Sequence, residues 1–139
     1  MSSEARNMKI LFIDDDKATN FLNKHIAKHS DKISSIDLVA SGFEGIIYLN
    51  KCLNNNLEKP QLIFLDINMP AMNGWEFLEK FYVLEKDLVN EIKVVILSSS
   101  DDPMDLDRFK NDGNILDFIR KPLNKEAFDS ILKKVINNI

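Results

Sequence analysis

The stretch QLIFLDINMPAMNG, residues 61–74, decides how this chain is read. Leu62 to Leu65 is an unbroken apolar run, and it ends on a carboxylate, Asp66. A strand with one wet face alternates apolar and polar residues. A run without alternation suits a strand covered on both faces, as in a parallel sheet. Two other short runs share this character, Lys9–Ile13 (KILFI) and Lys93–Leu97 (KVVIL). Ile36–Ala40 (IDLVA) alternates more, as an edge strand does, and Asp117–Ile119 (DFI) is a short final run.

Segments with helical spacing lie between these runs. Phe21, Leu22 and Ile26 share one face of the first. Ser41-Gly42-Phe43-Glu44 reads as a capping box, with Glu44 reaching back to the Ser41 amide, and Ile46, Ile47 and Leu53 follow it. The third begins after Gly74, at a turn that calls for positive φ, and carries Trp75, Phe77, Leu78, Phe81 and Tyr82. The fourth is short, with Pro103 in its first turn and Leu106 and Phe109 as its apolar residues. The fifth follows Asn124, a good N-cap, and aligns Phe128, Ile131, Leu132, Val135 and Ile139. Strand–helix alternation repeated five times predicts an α/β domain, its parallel sheet covered by helices on both faces.

Composition bounds the function. The 139 residues make one ordinary domain, and 45% hydrophobic content is enough for a real core. The net charge of −4 argues against a general nucleic-acid binder, which needs a basic face. No apolar run approaches the roughly 20 residues that span a bilayer, and the polar N-terminus lacks a signal-peptide core. Cys52 is the only cysteine, so no internal disulfide can form, and a reducing, cytoplasmic setting is expected.

In open α/β sheets, sites form outside the carboxyl ends of the strands. Asp14, Asp15 and Asp16 follow the first run, Asp66 to Pro70 the third, Ser98 to Ser100 the fourth, and Lys121-Pro122 the fifth. Carboxylates brought together from two strands repel unless a cation separates them. A hard divalent ion with oxygen ligands answers that need, and Mg²⁺ takes one or two carboxylates while keeping waters. A metal, a lysine and a hydroxyl around one carboxylate are the parts that stabilise a transferring phosphoryl group, and an Asp can itself be the nucleophile.

Together, IDDD (13–16), LDINMPAMNG (65–74), LSS (97–99) and KPL (121–123) resemble the signature of bacterial response-regulator receiver domains, of the stand-alone, chemotaxis-regulator-like kind. The resemblance implies a flavodoxin-like, doubly wound five-stranded parallel sheet of order 2-1-3-4-5 with five helices. It implies a short lead-in over residues 1–8, a receiver domain over 9–139 and no output domain. By position, Asp66 is the phosphoacceptor. Asp14 (through water), Asp15 (directly), Asp66 and the Asn68 main-chain carbonyl hold Mg²⁺. Ser98 and Lys121 contact the phosphoryl group, Pro122 follows a cis bond, and Phe118 is the aromatic switch. The small pair common before the last strand is replaced by Asn114-Ile115, with Gly113 one place early, which predicts a remodelled loop.

Each residue also has a plainer reading. Asp14–Asp16 alone is a solvated turn, with Asp16 capping the first helix. Asp66 alone is a strand-ending Asp, Ser98 a loop hydroxyl, Lys121 a surface lysine and Phe118 a core aromatic. Only four motifs in register favour the site. His25 and His29 have a metal-ligand spacing but lack a third ligand, and they read as a partly exposed helix face. Trp75 reads as a packing or partner-facing residue, and Cys52 as helix filler.

The implied function is a two-component or phosphorelay switch. A sensor histidine kinase or a histidine phosphotransfer protein would supply phosphoryl groups to Asp66, and an unknown protein target would read the change. Catalysis would be limited to the domain's own phosphorylation and slow autodephosphorylation, with no membrane or nucleic-acid contact, as a monomer or a phosphorylation-dependent dimer. Three other readings compete. A haloacid-dehalogenase-type phosphatase needs an acid two residues after its nucleophile, where this chain has Asn68. An FMN binder needs a glycine- and hydroxyl-rich loop where this chain has Asp14–Asp16. A phosphorylation-independent interaction module would not need the complete acid, Ser and Lys set.

Overall fold

Alternate residues of the apolar strands serve two separate cores. In the computed structural model, which describes residues 8–137, Ile10, Phe12, Leu62, Phe64, Val95 and Leu97 face one layer of helices. Their neighbours Leu11, Ile13, Ile63, Leu65, Val94 and Ile96 face the other. This is why the runs are apolar throughout: neither face meets water.

The strands are β1 (Met8–Ile13), β2 (Ile33–Val39), β3 (Leu62–Leu65), β4 (Lys93–Ser98) and β5 (Ile115–Arg120). They form one parallel sheet of order β2-β1-β3-β4-β5, as the resemblance implies. The alternating β2 lies at an edge, as its pattern predicts. β2 and β5 run longer than the expected apolar segments, since pairing with β1 and β4 holds their polar ends in the ladder. Helices α1 (Lys17–Ala27) and α6 (Lys125–Asn137) cover one face. There Phe12, Phe64 and Phe128 stack at centroid spacings of 5.0 and 5.9 Å. Helices α2 (Gly42–Leu53) and α3 (Gly74–Tyr82) pack on the other face.

Two further helices lie on this second side, α4 (Lys86–Glu91) and α5 (Pro103–Lys110), so the described residues form six helices rather than the expected five. The extra helix, α4, is one and a half turns long and buries only Leu88, too little to leave an apolar stripe in the sequence. The Glu85 side chain caps it by accepting from the Leu88 amide at 3.0 Å.

The helix faces also differ from expectation. On α1, the side turned to the sheet carries Asn20, Asn23 and Ala27, while Phe21 and Leu22 are exposed. The Asn20 side-chain amide donates to the carbonyls of Asp14 (2.9 Å) and Val39 (3.1 Å). A polar residue therefore faces inward, because it satisfies the backbone where β1 and β2 end. On α2, Ile47 is exposed, and Tyr48, Leu49 and Cys52 do the burying, with Ile46 and Leu53 half-buried beside them. Ser41 accepts from the Glu44 amide as predicted, but Glu44 reaches back to the Ala40 amide, one residue beyond the expected partner.

The expected cap Asn124 accepts from the Ala127 amide, and the α6 stripe of Phe128, Ile131, Leu132 and Val135 is buried. Ile139 and most of the lead-in, residues 1–7, lie outside the described residues. α5 buries none of its residues; Leu106 is exposed and only half-buried Phe109 reaches the core. The loop before β5 is organised by Asp112, whose carboxylate accepts from the Asn114 amide (2.9 Å) and the Tyr82 hydroxyl (2.8 Å).

Candidate functional site

The loops that leave β1, β3, β4 and β5 meet at one end of the sheet, and the candidate residues sit on them. Backbone bonds carry the ladder past the strand ends: the Asp14 amide reaches the Val39 carbonyl, Asp66 reaches Ile13, and Lys121 reaches Ser98. Each reactive side chain is thus fixed by the sheet rather than by a free loop.

Asp14, Asp15 and Asp66 converge, each with a carboxylate oxygen within 4.8 Å of the others. Asp14 and Asp66 are buried and Asp15 is exposed at the rim. Lys121 Nζ lies 2.8 Å from Asp14 Oδ2 and 3.4 Å from Asp66 Oδ1. Its ammonium spans the two buried acids but sits nearer Asp14. The other Asp14 oxygen accepts from the Asp16 amide, and Asp16 caps α1 by accepting from the Ala18 amide. The Asn68 amide donates to Asp66 Oδ1 at 3.3 Å, and Asn68 itself is exposed. Ser98 is fully buried at the end of β4, its hydroxyl oxygen accepting from the Ser100 amide at 3.0 Å.

The electrostatics follow from this crowding. Burial, and next the negative charge of Asp14, push the Asp66 carboxyl up to about 6, while Lys121 and the Asn68 amide oppose them. Burial disfavours the Lys121 ammonium, but its bond to Asp14 and the charges of Asp14 and Asp66 outweigh that and hold its pKa above the usual lysine value. Three carboxylates around one lysine leave an excess of negative charge on hard oxygen donors. That donor set fits a divalent cation of the Mg²⁺ kind.

Phe118 is not in this cluster. It pairs with Ile96 across the β4–β5 ladder, packs in the α2–α3 core layer, and meets Phe109 of α5 at a centroid spacing of 5.7 Å. Ile96 and Ser98 project to the same side of β4, so Phe118 lies one pleat from the Ser98 hydroxyl. His25, on α1, and His29, in the turn just beyond it, are exposed and join no group of three ligands among the described residues.

Gly74 is needed for a reason other than the positive φ expected of it. Its φ is not positive; Ala71 takes the left-handed conformation in this loop, at φ 67°. A Cβ at Gly74 would lie 2.7 Å from the Asp66 carbonyl oxygen and 2.8 Å from Ile67 Cα. The start of α3 therefore presses directly on the backbone of Asp66 and Ile67. Asn73 and Glu76 form a reciprocal capping box there, which the sequence announces by its N-x-x-E spacing. Asn20 is a second residue that periodicity passes over; a polar position on the buried face of a helix is the signal that marks it.

Comparison with known proteins agrees with this geometry. The response regulator receiver domain profile matches residues 10–133. A two-component response regulator from Cytophaga hutchinsonii superposes with a TM-score of 0.86 at 34% identity, over 95% of this chain and 99% of the other. The Arabidopsis thaliana two-component response regulator ARR17 is 28% identical over 99% of this chain and 90% of its own length. A protein-glutamate methylesterase/protein-glutamine glutaminase of Desulfotalea psychrophila is 32% identical, but this chain spans only 35% of its length. With a paired acidic pocket at the carboxyl ends of a 2-1-3-4-5 sheet, and a profile match over nearly its whole length, the chain belongs to the response regulator receiver domain family, whose members are phosphorylated on an aspartate in two-component signalling.

Proposed function

We propose that Asp66 is the phosphoacceptor and that a sensor histidine kinase or a histidine phosphotransfer protein supplies its phosphoryl group. The observation that carries this reading is the Lys121 ammonium placed between two buried carboxylates, 2.8 Å from Asp14 and 3.4 Å from Asp66. An Asp66 oxygen attacks phosphorus in line, the new P–O bond forms as the P–N bond to the donor imidazole breaks, and the imidazole leaves with the bonding pair. Lys121, freed from part of its pairing with Asp14, meets the added negative charge. Ser98 turns its hydroxyl to a phosphoryl oxygen. Asp14, Asp15, Asp66 and the Asn68 carbonyl would hold Mg²⁺, which when bound supplies charge neutralisation at the phosphoryl oxygens. Phe118 then turns into the space that Ser98 leaves, and the surface of α5 and β5 changes its affinity for a protein target. Attack of water on the acyl phosphate resets Asp66.

The test is intact mass after incubation with acetyl phosphate and Mg²⁺. Wild type is expected to gain one phosphoryl group, Asp66→Asn none, and Lys121→Ala far less. An undiminished adduct on Asp66→Asn would overturn the assignment.

A further inference from the structure

The hydroxyl of Ser98 is the first member of a continuous polar chain that leaves the site and ends on the only tryptophan of the protein. Ser98 Oγ accepts from the Ser100 amide at 3.0 Å. Ser100 Oγ accepts from the Asp102 amide at 3.1 Å and donates to Asp105 Oδ2 at 2.6 Å. The other oxygen of that carboxylate, Asp105 Oδ1, accepts from the Trp75 indole N–H at 2.9 Å. The Arg108 guanidinium stacks 5.0 Å above the indole and pairs with Glu79 at 3.1 Å. The chain thus joins the end of β4, the first turn of α5 and the first turn of α3. Trp75 is itself buried, and its α3 backbone abuts Asp66 through Gly74.

We propose that Asp105 is a positioning residue that, through Ser100, holds Ser98 away from the acceptor and so sets how readily Asp66 retains a phosphoryl group. This rests on the assignment of Asp66 and Ser98 above. Ser98 Oγ cannot turn to a phosphoryl oxygen and keep the same bond from the Ser100 amide. Its departure leaves that amide without its acceptor, and the β4–α5 loop must shift to satisfy it. Ser100 carries the shift to Asp105, and Asp105 to the indole. α5 is the helix best able to respond, because it buries none of its residues. Asp105 is only partly buried and meets competing water at the loop surface, so the clamp is releasable rather than permanent. By linkage, any clamp that favours the resting arrangement weakens binding of whatever favours the other. The same route makes the α3–α5 surface around Trp75, Arg108 and Glu79 part of the face that changes on phosphorylation, beside the Phe118–Phe109 contact one turn along α5 from Asp105.

The test uses the full chain and beryllofluoride with Mg²⁺ as a stable mimic of the acyl phosphate, read by Trp75 fluorescence and by calorimetry. Wild-type emission is expected to change saturably with beryllofluoride, and Ser98→Ala to lose that change at beryllofluoride concentrations that saturate its site by calorimetry. Asp105→Ala and Ser100→Ala are each expected to bind beryllofluoride about 3- to 10-fold more tightly, the worth of one or two net hydrogen bonds. Asp105→Asn, which keeps a carbonyl acceptor, is expected to fall between them and wild type. A merely structural role for Asp105 would lower stability and leave that affinity unchanged. Unchanged affinity in both alanine variants, or an emission change in Ser98→Ala equal to wild type, overturns the proposal. No phosphoryl adduct on wild type overturns the assignment of Asp66 instead.

Discussion

Asp66 is held in a state that costs the fold something. Its carboxyl, pushed up to about 6 by burial and by Asp14, has an ordinary value of 3.8 when the chain is unfolded. Between those two values the folded state binds more protons than the unfolded one, so this group's contribution to stability falls as pH rises from about 4 to 6, and the loss persists at pH 7. Asp66→Asn removes the charge while keeping the shape. In EDTA at pH 7 the variant is expected to be more stable than wild type by about 1–3 kcal/mol in urea denaturation, with the gap closing toward pH 4. Mg²⁺ is expected to stabilise wild type more than the variant. A variant no more stable than wild type at pH 7 would mean that Lys121 already neutralises the acid pair. The Asp66 carboxylate is thus strained electrostatically in advance, and a bound cation relieves it.

At the scale of elements, α1 separates what sequence pattern reveals from what it hides. Its apolar residues Phe21 and Leu22 look like a buried stripe, yet they face solvent, and Asn20 faces the sheet because the carbonyls of Asp14 and Val39 need a donor there. Glutamine at Phe21 or Leu22 is expected to change stability by no more than about 0.5 kcal/mol. Asn20→Ala strands the Asp14 carbonyl at the root of the acid pair and takes one of two donors from the Val39 carbonyl, and is expected to cost about 1–3 kcal/mol and to weaken Mg²⁺ binding by calorimetry. The opposite result, costly glutamines and a silent Asn20→Ala, would restore the apolar-face reading. The sheet was legible because doubly buried strands leave unmistakable runs, and the site because those runs end on Asp14, Asp66, Ser98 and Lys121. Helix α4 was not, since one buried leucine makes no period. Nor was the role of Gly74, since a close approach to the Asp66 carbonyl leaves no trace in local pattern. Gly74→Ala must move either α3 or the backbone at Asp66 and Ile67, and is expected to cost about 1–3 kcal/mol and to reduce phosphorylation by acetyl phosphate.

Across the whole molecule, burial is distributed so that rigidity and mobility meet at the site. β1, β3 and β4 are nearly wholly buried and carry Asp14, Asp66 and Ser98 at their ends, which fixes the side chains of the proposed site on the most buried part of the sheet. No residue of α5 is fully buried; the helix is tied down by Asp105 and Phe109, and four residues separate it from the end of β4. Local opening free energy tracks buried apolar contact, so the two parts should open by different routes. In hydrogen exchange read by mass spectrometry, amides of β1, β3 and β4 are expected to exchange only through global unfolding, and those of α5 and residues 99–102 through a local opening several orders of magnitude more frequent. Beryllofluoride with Mg²⁺ is then expected to change protection chiefly in residues 99–110 and at the start of α3, leaving α1, β2 and α6 nearly unchanged. A response spread evenly over both helical layers would mean that the fold switches as one body, and that the weak packing of α5 is incidental to signalling.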